Sequence, residues 1–203
     1  MFSNNPWPIT LIIVTLLSAG YLMYIIDVAK GRTSPAKATW ITWSLLDIAA
    51  LLAAQASGAG PAIALLYVHT GWTIITMVFA LIKGSGSFTK TDYLSFLIAT
   101  IGGVVWKVRG SSDEGSLAMI IALFCGGLPL WGVAWRNPKK ASPEAWILFA
   151  IGNACGLLLV PPAKLTIATY GAWIFPVYAG TICALYTAFI YYARYRKKNR
   201  RRR

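Results

Sequence analysis

Two tryptophans and an aspartate in the stretch TWITWSLLD are the side chains of this sequence whose spacing points first to chemistry. Trp40, Trp43 and Asp47 are three and four residues apart, so on an α-helix they share one face. Indole rings attract flat rings and cations, and a carboxylate accepts directional hydrogen bonds. Because a charge at the centre of a bilayer costs about 2.5 to 3.5 kcal/mol, Asp47 is expected to face a cavity or a polar partner.

A second stripe of the same kind lies later in the chain, in AWILFAIGN. Sliding the sequence by 106 positions sets Trp40 against Trp146, Trp43 against Phe149 and Asp47 against Asn153. We therefore predict that these six residues line one substrate site. Other interpretations stay open: tryptophans near a helix end are common in interfacial belts, a membrane Asn often bonds a neighbouring helix, and Asp47 fits a structural ion or hydrogen-bond pair.

The single histidine, His69, lies at a depth similar to that of Asp47, with each roughly 13 Å from the outer end of its predicted helix. Histidine titrates near neutrality, so a pair formed by Asp47 and His69 could exchange a proton. Proton coupling through these two residues is one hypothesis. The other is a histidine that bonds a backbone carbonyl, and the second half of the chain has Phe175 at the matched position.

Enzyme chemistry finds no support in the sequence. It lacks GxGxxG, GxxxxGK[ST], HExxH and Ser-His-Asp patterns. Cys125, Cys155 and Cys183 each fall alone in apolar runs, which does not favour a disulfide framework or a metal site. We therefore expect no enzymatic activity, no cofactor and no metal.

The elements that must position these residues are membrane helices. The chain has 203 residues, 57% of them hydrophobic and 12% charged, with a mean hydropathy of +0.60. A helix needs about 20 apolar residues to cross a bilayer. The fold is therefore predicted to be all-α. Seven segments are predicted to cross the bilayer: 9–29, 39–56, 61–82, 92–108, 116–135, 145–162 and 166–193.

Basic residues predict the orientation of these seven segments. With the amino terminus outside, 16 of the 19 Lys and Arg residues fall on the cytoplasmic side, eight of them in the tail RYRKKNRRRR. We therefore predict a multi-pass protein of the cell (inner) membrane with a cytoplasmic carboxyl terminus. The net charge of +13 follows from this orientation, so the tail is expected to attract anionic lipid and not nucleic acid.

The offset of 106 positions also predicts the domain organisation. It sets the first three segments on the last three and leaves the fourth as a connector. Two parallel repeats would then form three-helix bundles at 1–86 and 111–195, joined by a connector helix at 87–110 and followed by a basic tail at 196–203. In such repeats the site lies at the interface near mid-depth.

The patterns IDVAKGRTSPAKATWITWSLLD and LPLWGVAWRNPKKASPEAWILFAIGN resemble the repeats of the PQ-loop and SWEET superfamily of seven-helix transporters, and of its small bacterial members above all. The Pro-Gln pair of that superfamily is absent: Pro129 precedes Leu130, and Met23 precedes Tyr24. The WxxW formed by Trp40 and Trp43 is also similar to a motif of the PnuC family of nicotinamide riboside transporters.

The resemblance implies a facilitator or proton-coupled carrier for a small polar solute such as a sugar, nucleoside or amine, bound between the bundles. It leaves an alternative open, a receptor or accessory protein of the same fold that does not transport. One chain contains both bundles, so oligomerisation is possible but not required.

Overall fold

The computed structural model describes residues 6–56, 63–84, 112–159 and 174–200, together with residues 86, 88, 90, 92–94, 97–98, 100–101 and 104. Within these residues all regular secondary structure is helical, so the predicted all-α class is confirmed. Six helices have defined bounds: α1 Trp7–Ala29, α2 Lys37–Ala56, α3 Ile63–Lys83, α5 Ser112–Arg136, α6 Pro143–Gly156 and α7 Ile174–Arg200. Between α3 and α5, the described helical residues from 90 to 104 belong to α4.

Proline and glycine account for several of the helix ends. Proline occupies the first turn of α1 and of α6, where its fixed φ suits a helix and its missing N–H would have no partner. Gly31 follows α1 with a φ of +68°, a conformation that glycine adopts without steric cost. A short 3₁₀ turn, Pro138–Lys140, joins α5 to α6.

Most of the observed helices begin and end within a few residues of the predicted segments. One exception is α6, which ends at Gly156 and passes into a 3₁₀ turn, Leu157–Leu159, whereas the predicted segment continues to residue 162. The other is α7, at the end of the chain. There α7 continues to Arg200, so residues 196–200 of the predicted tail extend the helix. The first eight residues of the predicted seventh segment, 166–173, lie outside the described residues. Several residues of the predicted connector do so as well.

Helix packing divides the chain into two similar groups. α3 packs against α1 and α2, and α7 packs against α5 and α6. Between the groups α1 packs on α6 and α2 packs on α5. Exchanging α1 with α5, α2 with α6 and α3 with α7 converts these six pairings into one another.

Close glycine contacts between the two groups follow the same exchange. A methyl group at Gly20 of α1 would lie 2.8 Å from the Phe149 ring of α6. At Gly126 of α5 a methyl group would lie 2.9 Å from Thr42 of α2, and at Gly127 it would lie 3.1 Å from the Trp43 ring. Since neither crossing leaves room for a methyl group, small residues let α1 approach α6 and α5 approach α2.

Three helices are long and apolar enough to cross a membrane by length and composition, among the residues that the structure describes. They span Trp7–Ala29, Ile63–Lys83 and Phe175–Arg200. Of two shorter apolar stretches, Ile120–Arg136 falls in α5, and Pro143–Leu159 covers α6 and the 3₁₀ turn that follows it.

Candidate functional site

The two tryptophans of α2 lie where the helix groups meet. Trp40 is buried, with 1% of its surface exposed, and its Nε1 donates a hydrogen bond to the Tyr24 hydroxyl of α1 at 3.2 Å. Trp43 packs edge-on against Trp40, with ring centroids 5.4 Å apart. Its own Nε1 donates to the backbone oxygen of Leu123 in α5 at 2.9 Å, so Trp43 links the two helix groups.

The aromatic stripe of α6 lies against that of α2. The ring centroids of Trp43 and Trp146 are 6.0 Å apart, in an edge-on arrangement. Trp146 and Phe149 contact each other at 5.3 Å, and Phe149 reaches the ring of Tyr21 in α1 at 4.6 Å. Both α6 side chains are buried. The structure therefore brings the four predicted aromatic residues into one continuous cluster between the helix groups.

Asn153, the polar member of the α6 stripe, bonds the histidine. Its Oδ1 lies 3.0 Å from Nε2 of His69, which belongs to α3 of the other helix group. Its Nδ2 donates to the backbone oxygen of Phe149 at 2.8 Å. On the other side of the imidazole, Nδ1 lies 2.9 Å from the Tyr21 hydroxyl. These three side chains are buried and form one hydrogen-bonded chain through α1, α3 and α6.

Asp47 has a different set of partners. Its side chain is buried within hydrogen-bonding reach of the Thr73 hydroxyl of α3. Its backbone oxygen accepts a hydrogen bond from the Thr70 hydroxyl at 3.1 Å. Because both nitrogens of His69 are bonded to Tyr21 and Asn153, these partners occupy the positions where a direct bond to Asp47 would form.

The loop end of the two groups holds further contacts between them. The Ser142 hydroxyl, just before α6, donates to the carboxylate of Asp27 at the end of α1. The backbone N–H of Ser34 donates to the carbonyl of Lys140 at 3.3 Å. Arg194 of α7 orders the loop before α6, since its guanidinium donates to the carbonyls of Pro138 and Ala141.

Two clefts open beside these loop contacts. One, of about 670 Å³, is lined by Asp27 and Ser142 among others, and the second, of about 430 Å³, by Val133 and Ala36. Val133 stands 106 residues after Asp27, and Ala36 stands 106 residues before Ser142. The clefts therefore occupy matched positions, but the polar bond of the first is replaced by apolar side chains in the second.

Sequence reasoning missed Tyr21 and Thr73. Tyr21 lies in an apolar run of α1, and the 106-residue offset sets it against Gly127, so the internal comparison gave no sign of it. Its spacing of three residues from Tyr24 was the available signal, because the two rings then share the helix face that contacts Trp40.

The chemistry of the cluster follows from its own side chains. Aromatic rings and hydrogen-bonding groups from both helix groups converge, which suits noncovalent binding. Among the described residues no group of three metal-binding side chains comes together, and Cys125, Cys155 and Cys183 are free thiols. No protein-family model, no curated protein and no solved structure matches this chain.

Proposed function

We propose that this protein is a multi-pass membrane transporter for a small polar solute, which binds between two repeated three-helix bundles. The bundles are α1 to α3 and α5 to α7, joined by α4. The observation that carries the proposal is the buried hydrogen bond between His69 of one bundle and Asn153 of the other. The rings of Trp43 and Trp146 also make contact between the bundles.

The distribution of polar side chains supports a membrane location. Asp47, His69, Thr73 and Asn153 are buried, whereas large apolar side chains cover outer helix surfaces. A water-soluble domain has the opposite distribution, while buried polar groups and an apolar exterior suit a bilayer. The outward apolar residues include Leu11, Ile12, Leu22, Tyr67, Ile75, Val78, Ile82 and Leu185.

The exchange of helix pairings supports the repeat. The offset of 106 residues predicts that α1 corresponds to α5, α2 to α6 and α3 to α7, and the six pairings agree with this assignment. The glycine contacts add side-chain detail, because Gly20 and Gly126 are 106 residues apart and their neighbours Phe149 and Trp43 are as well. Transporters built from repeats bind their substrates at the repeat interface.

The chemistry of the cluster supports a solute with a flat face and hydrogen-bonding groups, such as a sugar, a nucleoside or an amine. Indole rings pack against flat faces or cations. Asn153 and Asp47 provide an amide and a carboxylate at matched positions of the two bundles. Alternate opening of the two sides of the bundle interface would then move the solute across the bilayer.

Uptake into proteoliposomes tests this function. Purified protein is reconstituted and offered a panel of sugars, nucleosides and amines, while thermal shift measures binding of the same panel. We expect one solute class both to stabilise the protein and to accumulate or equilibrate inside the vesicles. Binding without flux would support the receptor alternative. If no solute of the panel binds or is transported, both functions are excluded for the solutes offered.

A further inference from the structure

Tyr21 lies at the crossing point of four helices. Its ring stacks on Trp72 of α3 with an interplanar angle of 6° and contacts Trp40 of α2 and Phe149 of α6. Only 4% of its surface is exposed. These rings fix the orientation of Tyr21, so its hydroxyl is held at Nδ1 of His69, 2.9 Å away.

The hydrogen bonds of Asn153 determine which nitrogen of His69 carries the proton. The backbone oxygen of Phe149 can only accept, so the amide nitrogen of Asn153 must face it. The amide oxygen then faces His69, and because that oxygen also only accepts, Nε2 of His69 must donate. A neutral imidazole with its proton on Nε2 has a lone pair on Nδ1, to which the Tyr21 hydroxyl donates.

We propose that Tyr21 is a positioning residue of the interbundle site: its hydroxyl bonds Nδ1 of His69 and so orients the imidazole for the Nε2–H bond to Asn153. Without the Tyr21 hydroxyl, the Nδ1 lone pair would be buried without a donor. The alternative tautomer would lose the bond to Asn153, since it directs a lone pair of Nε2 at the amide oxygen, although the Tyr21 hydroxyl could then accept from Nδ1–H. Tyr21 in the first bundle therefore strengthens a hydrogen bond to the second bundle without touching Asn153.

Phe175, which also contacts His69, cannot form the hydrogen bond that Tyr21 makes with Nδ1. Phe175 of α7 contacts the imidazole edge-on at 5.8 Å and offers no hydrogen-bonding group. Two further titratable groups lie near Tyr21, Asp47 of α2 and Cys183 of α7.

For every member of the hydrogen-bonded chain, the position 106 residues away holds a different residue. Tyr21 corresponds to Gly127, His69 to Phe175 and Asn153 to Asp47. The space beside Gly127 is occupied by the Trp43 ring. The exchange of the two bundles therefore does not reproduce the hydrogen-bonded chain, and this asymmetry gives the two halves of the site different chemistry.

Nitrogen NMR of the imidazole tests the proposal directly, because His69 is the only histidine. The full chain is labelled with ¹⁵N-histidine and measured in lipid nanodiscs at about pH 8, above the ordinary histidine pKa of about 6.5. We expect a protonated Nε2 and an unprotonated, hydrogen-bonded Nδ1. A wild-type protein protonated at Nδ1 would overturn the proposal, and this measurement needs no variant.

Tyr21→Phe removes the hydroxyl and keeps the ring. We expect Nε2 to stay protonated and the Nδ1 resonance to move further from that of Nε2, because Nδ1 loses its hydrogen-bond donor. Tyr24→Phe is the matched control, since Tyr24 is also buried and its hydroxyl accepts a bond from Trp40. The control should retain the wild-type resonances, and equal changes in both variants would overturn the proposal.

The role of this arrangement in transport rests on the proposed function and has its own measurement. Tyr21→Phe should change the dependence of uptake on pH, whereas Tyr24→Phe should leave the shape of that profile unchanged. The expected tautomer in a protein that transports nothing would remove the proposed function and leave the positioning role. The wrong tautomer in an active transporter would remove the positioning role alone.

Discussion

Asp47 and Asn153 stand at matched positions, yet they have different partners. Asn153 bonds His69 in the opposite bundle, whereas Asp47 is within reach of Thr73 in its own bundle. The offset of 106 residues predicted the correspondence of the two side chains, and helix periodicity predicted the faces on which they lie. The exchange of a carboxylate for an amide at one such position is a small change in volume and a large change in charge.

Asp47→Asn separates a transport role from a structural one. Since the matched position already holds an amide, we expect the variant to fold with a melting temperature close to that of the wild type and to show reduced uptake. If proton coupling runs through Asp47 and His69, the variant should also lose its response to a pH gradient, and so should His69→Phe. Uptake against pH and the melting temperature are measured for all three proteins.

The opposite result has an equally clear interpretation. If the bond between Asp47 and Thr73 is instead structural, loss of the charge should cost up to about 3 kcal/mol of folding free energy, because the Thr73 hydroxyl loses a charged acceptor. Full gradient-driven uptake by a destabilised Asp47→Asn protein would exclude a transport role for this carboxylate.

Trp43 and Trp146 contribute one ring each from the two bundles, and replacement of either by Ala tests whether the rings bind ligand. We expect ligand binding to weaken by about 1 to 3 kcal/mol if the ring stacks on a solute or a cation. Trp135→Ala is the control, since Trp135 is 44% exposed and packs instead on Phe189 and Tyr192 of α7. Unchanged affinity with a lower melting temperature in the two test variants would assign both rings to packing. Ligand affinity is measured by titration after each variant is shown to fold.

Helix crossings between the bundles depend on glycine. α1 meets α6 at Gly20, and α5 meets α2 at Gly126, where the partner side chain fills the space that a methyl group would need. Tight packing of this kind is worth most in a bilayer, where apolar burial gives little drive for helix association. The glycines alone could not predict which side chains lie opposite them, because the sequence does not show how the helices cross.

Gly20→Ala and Gly126→Ala should each destabilise the fold by about 1 to 3 kcal/mol, the usual cost of added volume in a packed interior. Gly71→Ala provides a matched control inside α3, because a methyl group there would meet nothing within 4 Å. The control should be neutral or more stable by up to about 1 kcal/mol through helix propensity. Thermal unfolding in detergent checks all three variants, and equal destabilisation by all three would contradict the close-contact explanation.

At the scale of the whole molecule, hydropathy predicted the order of the helices. Four of the six defined helices begin and end within a few residues of the apolar segments, whereas α6 ends earlier than predicted and α7 extends further. Segment spacing could not predict the hydrogen bond from His69 to Asn153, since it joins residues 84 apart on helices that the 106-residue offset does not set against each other. It could not predict Tyr21 either, because α1 is apolar on most of its surface.

Cysteine labelling tests the orientation of the whole molecule. Arg32 lies in the loop between α1 and α2, with 66% of its side chain exposed, and Ser57 lies beyond the far end of α2, outside the described residues. With Cys125, Cys155 and Cys183 replaced by Ala, Ser57→Cys should react with an impermeant maleimide on intact cells. Arg32→Cys should react only after the membrane is permeabilised, because the positive-inside rule assigns the basic loops to the cytoplasm. The reverse pattern would place the carboxyl-terminal cations outside and contradict the predicted orientation, while labelling of both sites on intact cells would contradict a membrane crossing by α2.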